Sequence, residues 1–194
     1  MVNWPEYTVE MARTLGVEPQ HVCECGAGGL LHTALLIKQG ARADLIEPHP
    51  HFFAELYRDY PAQCLWDCAI ADPQNPNVPL TLLTAETPDG SSYIEGVDAP
   101  RTRFTPYTKH ITVLSVLFSK IDDGTIDWLM LDMEGCEWWA LQEMKSRPKV
   151  IVIEWKSCKG WRQPNAQEIE GWMRTNGYTL HEENKNDRIY TCLS

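Results

Sequence analysis

The stretch His21-Val-Cys-Glu-Cys-Gly-Ala-Gly-Gly29 decides how this chain is read. A short apolar run passes directly into clustered glycines. Leu30 to Gln39 then has the apolar density of a packed helix, and Gly40 sits where a C-cap glycine belongs. Strand, glycine turn and helix form the opening unit of an α/β sheet. The alternation continues outward on both sides. Upstream, Glu6 to Leu15 reads as an amphipathic helix stopped by Gly16. Downstream, Ala43-Asp-Leu-Ile-Glu47 is a second strand, broken by Pro48 and Pro50 before a helix to about Tyr60. Gln63 to Ile70 reads as a third strand.

The second half repeats the unit. Asp127-Trp-Leu-Met-Leu-Asp132 is a strongly apolar strand that Met133-Glu-Gly135 turns into a helix over Cys136 to Met144. Val150 to Trp155 is a continuous apolar run, as expected of a strand covered on both faces. Asn165 caps a last helix to Asn176, with Glu168 three residues on and Ile169, Trp172 and Met173 as its apolar face. Tyr178 to Glu183 and Arg188 to Leu193 flank a turn-rich tetrapeptide and predict a closing antiparallel hairpin. The expected architecture is a single α/β domain over 1–194, with an N-terminal helical segment over 1–20. Its mostly parallel sheet is expected to carry helices on both faces.

The pattern fails between Asp72 and His110, which holds Pro73, Pro76, Pro79, Pro88, Pro100 and Pro106. Val78 to Ala85 reads as an extra strand, and Glu86 to His110 as a long loop. Loops of that length are usually functional, so 72–110 is expected to be a lid over an acceptor. Ile111 to Leu117 then reads as a strand and Phe118 to Ile121 as a short helical piece.

Composition removes several classes of function. Hydrophobic residues are 43% and charged residues 23% of 194, which is ordinary for a globular chain and excludes a disordered one. No apolar run reaches the roughly 18 residues of a membrane span. The N-terminus is acidic and lacks an apolar core, so no secretory signal is read there and a cytoplasmic location is expected. A net charge of −10 repels phosphate backbones and argues against duplex nucleic acid as a partner. Seven scattered cysteines in a chain of this size read as reduced thiols. Cys23-x-Cys25 lacks a second pair at zinc spacing, so no structural metal site is assigned.

Ligands on such sheets bind beyond the carboxyl ends of the strands. Three features fall there: the Gly26-Ala27-Gly28 turn preceded by Glu24, Glu47 about twenty residues on, and the Asp132-Met-Glu134 pair. An acid at Glu47 suits two ribose hydroxyls. A dinucleotide fingerprint is incomplete, because Leu31 stands where its third glycine belongs, and Glu24 would repel a pyrophosphate. An acid there suits a cationic, phosphate-free nucleoside such as S-adenosylmethionine. A nicotinamide-dependent oxidoreductase is the alternative, and a non-catalytic S-adenosylmethionine-binding module is another. Asp132 and Glu134 share a strand face and are the first candidates for a base or an acceptor anchor. They could instead hold a divalent metal through oxygen. Of the histidines, His49 borders the expected crevice and is the best alternative base; His51, His110 and His181 are weaker ones.

The sequence also resembles a known family. Glu24-x-Gly-Ala-Gly-Gly is similar to the first motif of class I methyltransferases. Ile126-Asp-Trp-Leu-Met-Leu-Asp-Met-Glu-Gly-Cys-Glu-Trp-Trp-Ala-Leu141 resembles the signature of FkbM-type methyltransferases, with Met130 where those carry Lys. Asp67 to Asp72 and Tyr178 to Cys192 resemble the family's third-strand end and closing hairpin. The resemblance implies a Rossmann-like, seven-stranded class I fold and S-adenosylmethionine-dependent methylation of a hydroxyl on a sugar or other small natural product. It further implies that Glu24 and the backbone of Gly26, Ala27 and Gly28 hold the methionine end. Glu47, with Pro48 beside it, takes the ribose, and Asp67 and Cys68 touch the adenine. Trp138, Trp139, Trp155 and Trp161 are candidates for a stacking wall, and Arg101, Arg103 and Lys109 for an anionic acceptor.

Overall fold

The computed structural model describes residues 3–86, 92–97, 107–155 and 163–193. Helix α1 (Trp4–Leu15) has Pro5 in its first turn, where the missing N–H is no loss, and ends at Gly16 in a left-handed conformation. Strand β1 (His21–Cys25) is buried at every position. Helix α2 (Ala34–Lys38), strand β2 (Arg42–Ile46), helix α3 (Pro50–Asp59) and strand β3 (Cys64–Trp66) follow. The intervening segment holds β4 (Ala69–Ile70), β5 (Leu80–Ala85), β6 (Tyr93–Ile94), β7 (Tyr107–Val113) and β8 (Ser115–Val116). The second half runs α4 (Phe118–Ile121), β9 (Trp128–Leu131), α5 (Glu137–Glu143), β10 (Val150–Glu154), α6 (Ala166–Thr175), β11 (Thr179–Glu183) and β12 (Asp187–Thr191).

The main sheet has seven strands in the order β11-β12-β10-β9-β1-β2-β3. Only β12 runs against the rest: it is antiparallel to both β10 and β11, which makes the closing hairpin. The chain winds from β1 outward through β2 to β3, then returns to place β9 on the other side of β1. That reversal opens a crevice beyond the carboxyl ends of β1 and β9.

Period-two alternation separates the two faces. Val22 joins Met11 and Ala12 of α1, Leu36 of α2 and Leu56 of α3 in one cluster. Cys23 and Cys25 face the opposite cluster, with Phe118, Leu141, Ile169 and Met173 from α4, α5 and α6. Helices therefore cover both faces, as the sequence predicts. Among the described residues six cysteines are free, and no helix is long and apolar enough to cross a membrane.

Three local expectations change. The predicted helix from Leu30 is helical only over Ala34–Lys38, because His32 and Thr33 turn back to hydrogen-bond Glu24. The predicted third strand splits at Asp67: β3 edges the main sheet, whereas β4 pairs with β8. The predicted loop over 86–110 contains strands. β5 pairs antiparallel with both β6 and β7 in a separate three-stranded sheet. Most of β7 is exposed on one side, so its polar residues mask its strand character. Arg101, Arg103 and Trp161 lie outside the described residues.

Candidate active site

Beyond β1 the backbone turns sharply. Gly26 has a φ of 83°, and its N–H and that of Ala27 both donate to the Ile46 carbonyl, at 3.0 and 3.1 Å. A Cβ on Gly26 would lie 1.8 Å from the Asp132 carbonyl oxygen, so only glycine lets β1 and β9 approach this closely before they splay. A Cβ on Gly28 would lie 2.5 Å from Glu47 Oε2 and 2.7 Å from Phe52 Cβ.

Glu47 follows β2 directly and is buried. Its Oε2 accepts from the Gly28 N–H at 2.8 Å and its Oε1 from the His49 N–H at 2.7 Å. These two bonds lock the carboxylate across the glycine turn and leave lone pairs for a ligand. Burial pushes its pKa up to about 7. The two N–H donors resist that rise, and the Asp132 and Asp67 charges add to it.

Gly26, Gly28, Glu47, Pro48, Phe52, Cys68, Asp132 and Glu134 line one open cleft. The sequence-derived cofactor residues Gly26, Gly28, Glu47, Pro48 and Cys68 thus meet the candidate catalytic residues Asp132 and Glu134. Leu82 of β5 and Tyr93 and Ile94 of β6 line it too, so the small sheet forms part of its wall.

Four sequence-derived residues stand elsewhere. Ala27 is buried against the α1–α2 side. Asp67 is exposed and does not line the cleft. Glu24 is fully buried and does not line the cleft. Its Oε1 accepts from the N–H and Nδ1 of His32, both at 2.9 Å, and its Oε2 from the N–H and hydroxyl of Thr33, at 2.9 and 2.7 Å. Burial lowers the pKa of His32, but the bond to Glu24 and its charge outweigh that, so the net shift is upward. Glu24 braces the turn from beneath. His49 caps α3, with Nδ1 accepting from the His51 N–H at 3.2 Å and its ring 5.0 Å from Phe52. It does not line the cleft, and burial, then the His51 charge, lowers its pKa. His51, His110 and His181 are exposed.

Two acids escaped the sequence reading. Glu137, at the start of α5, is fully buried and accepts from the Met133 and Gly135 N–H groups and from Gln163 Nε2 at 2.7 Å. It shapes the loop that carries Glu134, whose own φ is 53°. Burial raises Glu137 to about 7 against those three donors. Glu154 ends β10 and is 9% exposed. Leu131 pairs with Ile153, so Asp132 and Glu154 leave adjacent parallel strands at the same level. Oxygens of Asp132, Glu134 and Glu154 lie within 4.8 Å of one another. Burial raises Asp132, which His32 opposes and Glu24 reinforces. Burial and the charges of Asp132, Glu134 and Glu137 hold Glu154 well above the carboxylate range. An acid closing an apolar strand parallel to the one ending in Asp132 was the available signal.

The aromatic candidates serve the core. Trp138, Trp139 and Trp155 pack in or against the α4–α5–α6 cluster, and Arg188 stacks over Trp155 at 4.0 Å. Lys109 pairs with Glu86 at 3.2 Å.

The family described as "Methyltransferase FkbM domain" matches residues 24–180. The chain belongs to the FkbM methyltransferase family. Its activity is S-adenosylmethionine-dependent methyl transfer, with S-adenosylmethionine as the cofactor. No curated protein matches the sequence. Solved structures share the fold at low identity. Magnesium protoporphyrin IX methyltransferase from Synechocystis PCC 6803, with bound S-adenosylmethionine, is 10% identical with a TM-score of 0.52, over 96% of this chain and 76% of that one. A ribosomal protein L11 methylase from Lactobacillus delbrueckii subsp. bulgaricus is 10% identical at 0.50, over 97% and 76%. The 1,6-didemethyltoxoflavin-N1-methyltransferase of Burkholderia thailandensis, with bound S-adenosylhomocysteine, is 13% identical at 0.50, over 97% and 76%. The acceptors those names print differ, so the likeness speaks for the seven-stranded class I fold. This FkbM domain fits the cofactor: Glu47, held by the Gly28 and His49 N–H groups, keeps acceptor capacity on the cleft that Gly26 and Gly28 also line.

Proposed function

We propose that this FkbM methyltransferase methylates a hydroxyl oxygen of a small acceptor, a sugar or another natural product, in the cleft between Glu47 and Glu134. The observation that carries this reading is the pairing of two carboxylates, Asp132 and Glu134, with the glycine turn and Glu47 on one cleft. Carboxylates facing an acceptor suit a group that must lose a proton as it is methylated.

Glu47 would accept from the ribose hydroxyls, with Pro48 and Phe52 beside it. Cys68, Ala69 and Ile70 would flank the adenine. The Gly26–Gly28 backbone would meet the cationic methionine end. When bound, S-adenosylmethionine supplies a sulfonium methyl open to in-line attack. Glu134 would take the hydroxyl proton, and the cleft would hold the acceptor oxygen in line, an effect worth up to about 7–11 kcal/mol in favourable cases. Glu24 acts through the turn as a positioning residue and His49 through α3, so neither is assigned to the reaction. Residues 1–194 would act as a single domain, and Leu82, Tyr93 and Ile94, which line the cleft, would border the acceptor. Free thiols at all six described cysteines favour a reducing, cytoplasmic setting, and the acidic net charge disfavours nucleic acid as acceptor.

The test is a methyl-transfer screen over hydroxylated sugars and small natural products, reading S-adenosylhomocysteine release. Turnover on a hydroxyl acceptor that drops about a hundredfold or more in Glu134→Gln is expected. Turnover confined to nitrogen or carbon acceptors, or untouched by Glu134→Gln, would contradict the proposal.

A further inference from the structure

We propose that Asp132, Glu134 and Glu154 form a divalent-cation site at the end of strands β9 and β10, taking a hard ion such as Mg²⁺ or Mn²⁺. This deepens the proposed hydroxyl methylation and rests on it for its purpose, though not for its detection.

The strand register brings the ligands together. β9 and β10 run parallel with Leu131 opposite Ile153, so the next residue on each strand is an acid, Asp132 and Glu154. Glu134 reaches the same point from the loop, with a left-handed backbone held by Glu137. One oxygen from each of the three lies within 4.8 Å of the others. Ligands bound to one hard cation at about 2.0–2.6 Å are separated by no more than about 5 Å.

An independent sign is an excess of acceptors. Glu154 is 9% exposed, and its Oε2 has no hydrogen-bond donor among the described residues. Buried acceptors are ordinarily paired, and an unpaired carboxylate oxygen beside two further acids fits a bound cation. Asp132 and Glu134 also line the cleft, whereas Glu154 stands behind them. A cation there would be held from behind by protein and keep positions open towards the acceptor. Three carboxylates leave up to about three positions of an octahedral ion for water and acceptor oxygens. The favoured acceptor therefore presents two neighbouring oxygens, as a vicinal diol or an α-hydroxy carbonyl does. A hydroxyl beside such an ion loses its proton more readily, and the carboxylate oxygen of Glu134 that is not on the ion would take it.

The test is Mn²⁺ titration of the full chain, following loss of the free-ion electron paramagnetic resonance signal, with S-adenosylhomocysteine binding measured in parallel. One Mn²⁺ per chain, displaced by Mg²⁺, is expected. Glu154→Gln should weaken it about tenfold or more, while still binding S-adenosylhomocysteine, which shows that the variant is folded. Glu134→Gln should weaken it similarly, and Glu10→Gln on α1 should not. No Mn²⁺ binding at millimolar concentration would overturn the site. So would Mn²⁺ binding that survives both substitutions. Failure to bind S-adenosylhomocysteine instead would count against the methyltransferase reading, because the Mn²⁺ signal is read without it.

Discussion

The Gly28 N–H donates to Glu47 Oε2 at 2.8 Å, and a methyl at position 28 would sit 2.5 Å from that same oxygen. The glycine turn and the acid after β2 are therefore one unit. Gly28→Ala should displace both Glu47 and Phe52. Overpacking of this kind costs about 1–3 kcal/mol, so a lower melting temperature is expected together with weaker S-adenosylhomocysteine binding. Unchanged binding by calorimetry would separate the turn from the cofactor.

Glu47 carries a pH signature. Its pKa near 7 makes it a carboxylate above neutrality and a neutral acid below. Only the ionised form has both oxygens free to accept. S-adenosylhomocysteine affinity should therefore fall as pH drops from 8 to 6, with a midpoint near 7, and Glu47→Gln should flatten that profile. A wild-type affinity independent of pH over this range would contradict the role.

Stability of the free protein should run the other way. Glu47, Glu137 and Asp187 are each raised to about 7 by burial. A group whose folded pKa lies above its unfolded one contributes stability that is fully present below the unfolded value, here near 4. That contribution is lost as pH rises through about 7. The melting temperature of the ligand-free protein should rise as pH is lowered from 8 to 6. A fall over that window would show that these acids are not buried as described.

Glu137→Ala should be severe. It strips the acceptor from the Met133 and Gly135 N–H groups and from Gln163 Nε2. Leaving buried donors unpaired costs about 1–3 kcal/mol each, so a loss of about 3 kcal/mol or more in urea unfolding is expected. A loss below about 1 kcal/mol would mean that water replaces the carboxylate.

The sequence made the fold legible wherever the signal was local. Glycines after β1, an acid after β2, and the Asp132–Glu134 pair after β9 are each readable in a few residues, and all three meet on the cleft. Glu24 shows the limit. Its identity was plain, but its direction depended on the chain folding back to present His32 and Thr33, which no local pattern announces. Glu154 was hidden for a related reason. Only the parallel register of β9 and β10, whose paired residues lie twenty-two apart, places it beside Asp132. Of the small sheet, Val78 to Ala85 and the run from Ile111 read as strands, but β6 and residues 107–110 did not, because their partners on β5 lie in a distant segment and their own alternation is weak.

Calorimetric titration of S-adenosylhomocysteine into the wild type and Glu47→Ala at pH 8 bears most directly on the cleft. One site per chain is expected in the wild type, weakened about tenfold or more in Glu47→Ala by loss of a charged acceptor for the ribose hydroxyls. Equal affinity in the two proteins, or none in the wild type, would contradict it.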